Sequence, residues 1–182
     1  EVTLIAGPVA LPTPAGVTRI DVETAADMHR AVLDRLPLTD LFVAAAAVAD
    51  YRPAETVAHK MKKSSDTLEL RLVRTPDILA EVSAHDPRPF CVGFAAETDD
   101  LLDNARAKLD AKSLDMIAAN RVGQALGIEQ ADNALEVLWA DGSRSLPRAP
   151  KEKLARDLVT LIAERYRILH PIKEELPPHA QD

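Results

Sequence analysis

The sequence predicts an α/β protein, a three-layer sandwich with a mainly parallel sheet and a small peripheral hairpin or flap. Apolar, strand-like segments alternate along the chain with segments of helical period, as in βαβ units. The runs Leu41 to Val48 and Pro89 to Ala95 are apolar throughout, which is typical of strands covered on both faces. Between them, Thr67 to Val73 alternates leucine with charged residues and predicts a half-exposed peripheral strand.

Two strands and a helix are predicted before residue 40. Val2 to Ile5 and Arg19 to Val22 are short apolar strands separated by a proline-marked loop. Thr24 is expected to cap the helix, because Asp27 three residues later completes a pattern that resembles a capping box. The apolar face of this helix repeats at helical spacing and consists of Met28, Val32, Leu33 and Leu36.

Two further helices are expected to begin at threonines. Thr75 is predicted as a helix cap, with Pro76 at the first helical position, where a missing amide costs nothing. Thr98 is predicted to cap the next helix. Its core stripe would be Leu101, Ala105 and Leu109.

The last third of the chain predicts a strand, a hairpin and a helix. The strand covers Leu114 to Ala119 and ends in Asn120, and the hairpin joins Ala134 to Trp139 with the residues after Asp141-Gly142. Lys151 to His170 is the helix, and its inward side chains would be Leu154, Leu158, Leu161 and Ile162. In this Rossmann-like arrangement ligands bind beyond the carboxyl ends of the strands, where the segments 44–50 and 94–97 and Asn120 would converge.

Composition narrows the class of protein. With 182 residues, 47% hydrophobic and 28% charged, the chain fits one globular domain over residues 1–170 and a flexible tail over 171–182. A net charge of −7 argues against binding to nucleic acid or anionic membranes. No apolar run approaches the roughly 20 residues that span a bilayer, so a soluble protein is expected.

Cysteine and histidine usage excludes some chemistry. The single cysteine, Cys91, rules out a disulfide framework and favours a reducing cytoplasm. Cys91 lies in a buried-looking strand with no histidine nearby, which predicts a core residue and not a nucleophile. The five histidines show no metal-ligand spacing, so metal ligands stay unassigned.

The stretch from Val43 to Lys63 is the best candidate for a binding site. Its alanines would let backbone groups approach a flat ligand, and Asp50 and Tyr51 add polarity at the strand end. An alanine run alone also suits close packing under a helix. Three lysines then crowd one loop of an acidic protein, which favours a nucleotide site: Lys60, Lys62 and Lys63.

Five motifs, AAVADYRP, KMKK, TPDIL, VGFAAET and DNAL, occur in this order between about Val2 and about Tyr166. In that order they resemble the phosphopantothenoylcysteine synthetase family, also called phosphopantothenate–cysteine ligase, of coenzyme A biosynthesis. The resemblance favours the bacterial, CTP-dependent type, although the residues alone leave CTP against ATP open.

The resemblance implies an activity. In that family 4'-phosphopantothenate reacts with CTP to give an acyl-cytidylate and pyrophosphate, and the amine of L-cysteine then displaces CMP. It also implies Mg²⁺ on the triphosphate and a homodimer. Bacterial members often carry a fused or associated flavin-dependent decarboxylase half. That half is not found in this sequence, so neither FMN nor decarboxylase activity is expected in this chain.

The resemblance also assigns site residues. Lys60 is the implied catalytic residue, reaching the phosphates, and Phe94 is the implied contact of the base. Without the resemblance, Lys60 would be one charge of a solvated run and Phe94 a core side chain. The other implied nucleotide contacts are Ala44, Ala45, Ala46, Asp50, Pro76, Asp77, Ile78, Leu79, Lys108 and Lys112.

One departure from the family affects the function. Members begin with a further strand, a glycine-rich turn and an asparagine-bearing loop, about 30 residues that do not occur before Glu1. The chain is therefore expected to be an incomplete form of the enzyme, and a non-catalytic nucleotide-binding or dimerisation module is the alternative. A nicotinamide-binding domain is a weaker alternative, because the six glycines form no G-x-G-x-x-G fingerprint.

Overall fold

The computed structural model describes residues 1–55, 59, 67–122 and 131–171. The chain divides into two compact units, Glu1–Gly93 and Phe94–Asp182. The domain predicted over residues 1–170 stays a prediction. Most of the predicted tail, residues 172–182, lies outside the described residues.

The first unit begins with two parallel strands. Strand β1 (Val2–Ala6) pairs with β2 (Val17–Asp21), and Val2 lies opposite Val17. The guanidinium of Arg19 donates to the carbonyl oxygen of Leu11 at 2.7 Å, which ties the connecting loop to β2. Both predicted strands are confirmed, and β2 begins two residues earlier than expected.

Helix α1 (Ala25–Arg35) confirms the predicted capping box. Thr24 is its N-cap, and its hydroxyl accepts a hydrogen bond from the amide of Asp27 at 3.1 Å, while its own amide donates to the Asp27 carboxylate at 3.2 Å. Val32 and Leu36 of the predicted apolar face are buried. A 3₁₀ turn, Leu36–Leu38, follows the helix.

Strand β3 is shorter and more exposed than predicted. It covers Leu41–Ala44 and pairs in parallel with the first half of a long strand, Phe90–Glu97, with Ala44 opposite Gly93. The prediction of a strand to Val48 covered on both faces is wrong, since the chain leaves the ladder after Ala44 and both Leu41 and Val43 are exposed. Apolar composition predicted the strand but not where its hydrogen bonding ends.

A two-stranded antiparallel sheet follows, formed by β4 (Tyr51–Pro53) and β5 (Leu72–Arg74). It supplies the predicted peripheral hairpin, but the strand expected from Thr67 is limited to Leu72–Arg74. Helix α2 (Ile78–Ser83) then begins after Asp77, whose carboxylate accepts from the amide of Ala80 at 3.1 Å. The prediction that Thr75 caps this helix is therefore wrong.

Strand β6 (Phe90–Glu97) crosses from the first unit into the second. The second unit continues with α3 (Leu101–Ala111), β7 (Met116–Arg121), β8 (Asp132–Trp139), β9 (Gly142–Pro150) and α4 (Lys151–Leu169). Strands β7, β8 and β9 are successive antiparallel neighbours. The hairpin is confirmed, and pairing of Trp139 with Gly142 leaves a two-residue connection.

The helices of the second unit pack largely as predicted. Ala105 and Leu109 of α3 are buried, and so are all four predicted inward residues of α4. The expected cap of α3 is wrong, because Asp100 takes the N-cap position with a φ of 47° and makes no capping hydrogen bond through its side chain. Strand β6 extends to Glu97, and Thr98 lies two residues before Asp100, too early in the chain to cap the helix.

The chain contains the parallel pair of β3 and the first half of β6 in the first unit, and the antiparallel pairs β7–β8 and β8–β9 in the second. With its parallel and antiparallel pairs and its alternating helices, the α/β class is confirmed. None of the helices in the described residues is long and apolar enough to cross a membrane.

Candidate functional site

In the first unit the turn after β3 is hydrogen-bonded to the segment that leads into α2. The amide nitrogen of Thr75 donates to the carbonyl oxygen of Asp50 at 2.9 Å, and the Thr75 hydroxyl donates to the carbonyl oxygen of Ala49 at 2.6 Å. Asp50 is therefore next to the segment in which Pro76 to Leu79, a second group of predicted nucleotide contacts, follow Thr75.

The start of α2 differs from the predicted phosphate-binding helix end. Pro76 and Asp77 are exposed, whereas Ile78 is buried. The Asp77 carboxylate already caps the amide of Ala80, and a six-residue helix has a small dipole. Asp77 thus has a demonstrated role in the fold, and its contact with a nucleotide stays a prediction.

Arg74 belongs to this cluster, although sequence reasoning missed it. It lies opposite Tyr51 in the β4–β5 ladder. A hydrogen bond with Tyr51, together with the nearby charges of Asp50 and Asp77, raises the pKa of the Arg74 guanidinium. Arg74 immediately precedes the TPDIL motif, but its pairing with Tyr51 depends on a contact between two strands that are distant in sequence.

In the second unit Lys108 is held by an acidic partner. Its ammonium nitrogen lies 2.5 Å from Oε1 of Glu97, and the amide of Asn104 donates to the other carboxylate oxygen at 3.3 Å. Asn104 also donates to the carbonyl oxygen of Asp99 at 3.1 Å. Lys108 is therefore ion-paired although its side chain is 48% exposed, and its contact with a nucleotide stays a prediction. Glu97, a residue of the VGFAAET motif, is the ion-pair partner that orients the Lys108 side chain.

Phe94 and Lys112 are the other predicted nucleotide contacts of the second unit. Phe94 is half-buried in β6, so its ring can pack in the core on one side and contact a ligand on the other. Lys112 is the half-buried C-cap of α3, and its amide donates to the carbonyl oxygen of Lys108 at 3.1 Å. Both nucleotide contacts stay predictions.

The second unit also contains a cleft of about 710 Å³, and the four residues of the DNAL motif, 132–135, lie in its wall. It is lined by the start of α3 and by parts of β7, β8 and β9, and it is rich in acidic side chains. Two guanidinium groups offset them, and Nε of Arg148 lies 3.9 Å from an oxygen of Asp132. None of the predicted site residues that the structure describes lines this cleft.

Three further predictions concern Lys60, metals and Cys91. Lys60 lies outside the described residues, as do Lys62 and Lys63. The described residues contain no cluster of three or more histidine, cysteine, aspartate or glutamate side chains suited to a metal ion. Cys91 is fully buried, and its thiol donates to the carbonyl oxygen of Pro89 at 3.3 Å, in keeping with the prediction of a core residue.

Residues 1–166 match the model of the family described as the DNA/pantothenate metabolism flavoprotein C-terminal domain. The chain is 50% identical over 169 residues to the coenzyme A biosynthesis bifunctional protein CoaBC of Vibrio cholerae, covering 91% of this chain and 42% of that protein. It is 45% identical over 171 residues to the CoaBC protein of Escherichia coli, with coverage of 91% and 42%. The chain thus spans less than half the length of these relatives.

A solved structure gives the same result for the fold. The crystal structure of the C-terminal domain of a CoaBC protein superposes with a TM-score of 0.75 at 33% sequence identity. The superposition covers 93% of this chain and 75% of that chain.

Proposed function

The chain belongs to the family of the DNA/pantothenate metabolism flavoprotein C-terminal domain, and from this we propose that it is a ligase of coenzyme A biosynthesis that joins 4'-phosphopantothenate to L-cysteine. The observation that carries the proposal is the pair of hydrogen bonds from Thr75 to Ala49 and Asp50. They join, in one unit, two segments that the resemblance assigns to the nucleotide. Identity of 50% with a coenzyme A biosynthesis protein gives independent support.

The proposed reaction has two steps. The carboxylate of phosphopantothenate attacks the α-phosphorus of CTP, which gives an acyl-cytidylate and releases pyrophosphate. The amine of cysteine then attacks the acyl carbon and displaces CMP, leaving an amide. The mixed anhydride supplies the driving force that direct amide formation in water lacks.

The residues of this chain would bind and orient the nucleotide. Ala44, at the end of β3, and the exposed Ala45 and Ala46 that follow it would present backbone groups to the base or sugar, and Asp50 would accept hydrogen bonds from hydroxyl groups. Lys60 and the oriented ammonium of Lys108 would stabilise negative charge on the phosphates. Phe94 would contact the base, and Pro76 to Leu79 would border the site.

Magnesium fits this site as part of the substrate complex. Mg²⁺ usually keeps several waters and is held by one or two carboxylates plus the phosphates of the substrate, not by a protein cage. The exposed carboxylate of Asp50 suits that role, and the acidic clusters of the described residues do not form a cage of their own. When bound, the ion would neutralise charge that develops on the triphosphate.

We also propose a homodimer, supported by an exposed apolar surface beside β5. Leu68 and Leu70 are 65% and 61% exposed, and Leu72 and Tyr51 are exposed as well. An apolar patch formed by such side chains would mark an interaction surface, as in other soluble proteins. A second copy of the chain would cover them with the same residues.

A non-catalytic nucleotide-binding or dimerisation module is the second candidate. The matched region covers 42% of a bifunctional relative, so more than half of that protein lies outside it. This candidate predicts CTP binding without turnover. The cytoplasm is the proposed compartment for either function.

Pyrophosphate release with Mg²⁺, CTP and phosphopantothenate, with and without cysteine, tests the proposal. The chain would be assayed beside a form extended at its amino terminus by the family's further βα unit. Release that requires phosphopantothenate, from either form, is the expected result. CTP binding without release from both forms favours the non-catalytic module, and absence of CTP binding from both overturns the nucleotide site.

A further inference from the structure

We propose that Thr75 is a positioning residue of the nucleotide site, which fixes the Ala49–Asp50 peptide beside the start of α2. The inference rests on the proposed function. It gives Thr75 a role in the nucleotide site, whereas the sequence predicted only a helix cap at this residue. It concerns only contacts within the first unit.

The geometry is a two-point attachment. The Thr75 hydroxyl donates to the carbonyl oxygen of Ala49 at 2.6 Å, and the Thr75 amide donates to the carbonyl oxygen of Asp50 at 2.9 Å. Two successive carbonyl groups of the turn are thus held by one residue. Since a trans peptide is planar, fixing the Ala49 carbonyl also directs the amide of Asp50 away from Thr75. The orientation of the Asp50 backbone, and with it the origin of its side chain, is therefore set by Thr75.

Thr75 is available for this contact because it does not cap α2. Asp77 supplies the cap through its carboxylate. Pro76 disfavours the helical conformation at the residue before it, which keeps Thr75 extended. The extended backbone places the amide and the hydroxyl of Thr75 where both reach the turn.

The attachment continues an existing ladder. Tyr51 lies opposite Arg74 in the β4–β5 pair, so that Asp50 and Thr75 are the next residues outward on the two chains. Their hydrogen bond extends the antiparallel pairing by one position, toward the predicted site. Thr75 thus contacts Ala49 from the position next to the paired residues Arg74 and Tyr51.

The test uses Thr75→Val, which keeps the shape of threonine and its amide but lacks the hydroxyl donor. In the form of the protein that releases pyrophosphate, we expect the KM for CTP to rise about fivefold, the change equivalent to one typical hydrogen bond. The kcat should stay within about twofold, because the hydroxyl does not contact the reacting atoms. Thr75→Ser keeps a donor and should restore the KM.

The matched control is Thr160→Val in α4. The hydroxyl of Thr160 also donates to a backbone carbonyl, that of Arg156 at 3.0 Å, but in the second unit and on an exposed helix. Its KM should equal that of the unchanged protein. Thermal unfolding of all variants distinguishes positioning from a loss of stability.

Each outcome decides the proposal. A raised KM for Thr75→Val that serine restores, with unfolding midpoints within about 2 °C, supports it. Turnover with an unchanged KM overturns the role of Thr75 alone and leaves the proposed function intact. A raised KM that tracks a large fall in midpoint, or that serine does not restore, reduces Thr75 to a structural residue. Absence of both turnover and CTP binding from the unchanged protein overturns the proposed function and this inference with it.

Discussion

The ammonium nitrogen of Lys108 lies 2.5 Å from a carboxylate oxygen of Glu97, eleven residues earlier in the chain. The Glu97 side chain is only 16% exposed, whereas that of Lys108 is 48% exposed. The half-buried Glu97 thus holds the more exposed Lys108. An ammonium has three donors, so one can bind Glu97 while the others face an incoming phosphate.

Replacing Lys108 by methionine should weaken CTP binding about tenfold, because a charge-assisted hydrogen bond to phosphate is lost. Isothermal titration with Mg²⁺ and CTP measures the change. Lys153→Met is the control, since Lys153 forms a 2.6 Å ion pair with Asp157 on the exposed side of α4. It should bind CTP like the unchanged protein. Equal affinity in Lys108→Met and the control would contradict the role assigned to Lys108.

The capping box of α1 makes a prediction about pH. Hydrogen bonds from Thr24, with a contribution from Arg30, lower the pKa of Asp27 below its ordinary value of 3.8. Because the pKa is lower in the folded state, this carboxylate stabilises the fold above about pH 3.8, and the contribution is lost as the pH falls through the folded value. In Thr24→Ala the pKa of Asp27 should rise toward 3.8 in a carboxyl NMR titration.

The same variant gives a check by unfolding. Thr24→Ala should be less stable than the unchanged protein at neutral pH, and the difference should narrow as the pH falls from 3.8 through the lowered folded pKa of Asp27, below which the carboxyl is protonated in both proteins. Thr24→Ser keeps both hydrogen bonds of the box and should behave like the unchanged protein. A difference that widens on acidification would have the wrong sign for this mechanism.

Local patterns in the sequence were sufficient for some elements and not for others. The α1 cap was predictable because Thr24 and Asp27 are three residues apart and hydrogen-bond to each other at the start of one helix. Thr75 carries an equally good capping signal, but its hydroxyl binds Ala49, 26 residues away, and Asp77 takes the cap. The contact of Thr75 with the distant Ala49 competes with the local capping contact, and the sequence does not indicate which of the two forms.

The candidate site shows the same division. Asp50, Phe94 and Lys108 were assigned by resemblance to a family, and periodicity or spacing would have left each as an ordinary turn, core or surface residue. Arg74 and Glu97 act through partners that are distant in sequence, so neither could be assigned before the structure was available. The alanine run predicted a strand but not its end at Ala44, since hydrogen-bond partners and not composition determine that end.

Burial of Cys91 predicts an inert thiol. The side chain is fully buried in β6 and donates to the carbonyl oxygen of Pro89, so a thiol reagent has no access to it in the folded state. A chromogenic disulfide reagent should label about one thiol only after guanidinium is added. Pyrophosphate release should be unchanged by prior treatment with iodoacetamide. Rapid labelling of the folded protein, with loss of activity, would instead make Cys91 a functional residue.

The apolar surface beside β5 predicts where two copies of the chain meet. Leu70 is 61% exposed and lies two residues from Leu68 and from Leu72, which are exposed as well, and the exposed Tyr51 belongs to the strand that pairs with β5. Leu70→Lys would place a charge in a desolvated interface and should convert the dimer to a monomer at micromolar concentration, as measured by light scattering after size exclusion. Leu102→Lys is the control, because Leu102 is exposed to a similar extent, at 51%, but lies on α3 in the second unit. Both variants remaining dimeric would move the interface to another surface, and a monomeric unchanged protein would refute the dimer itself.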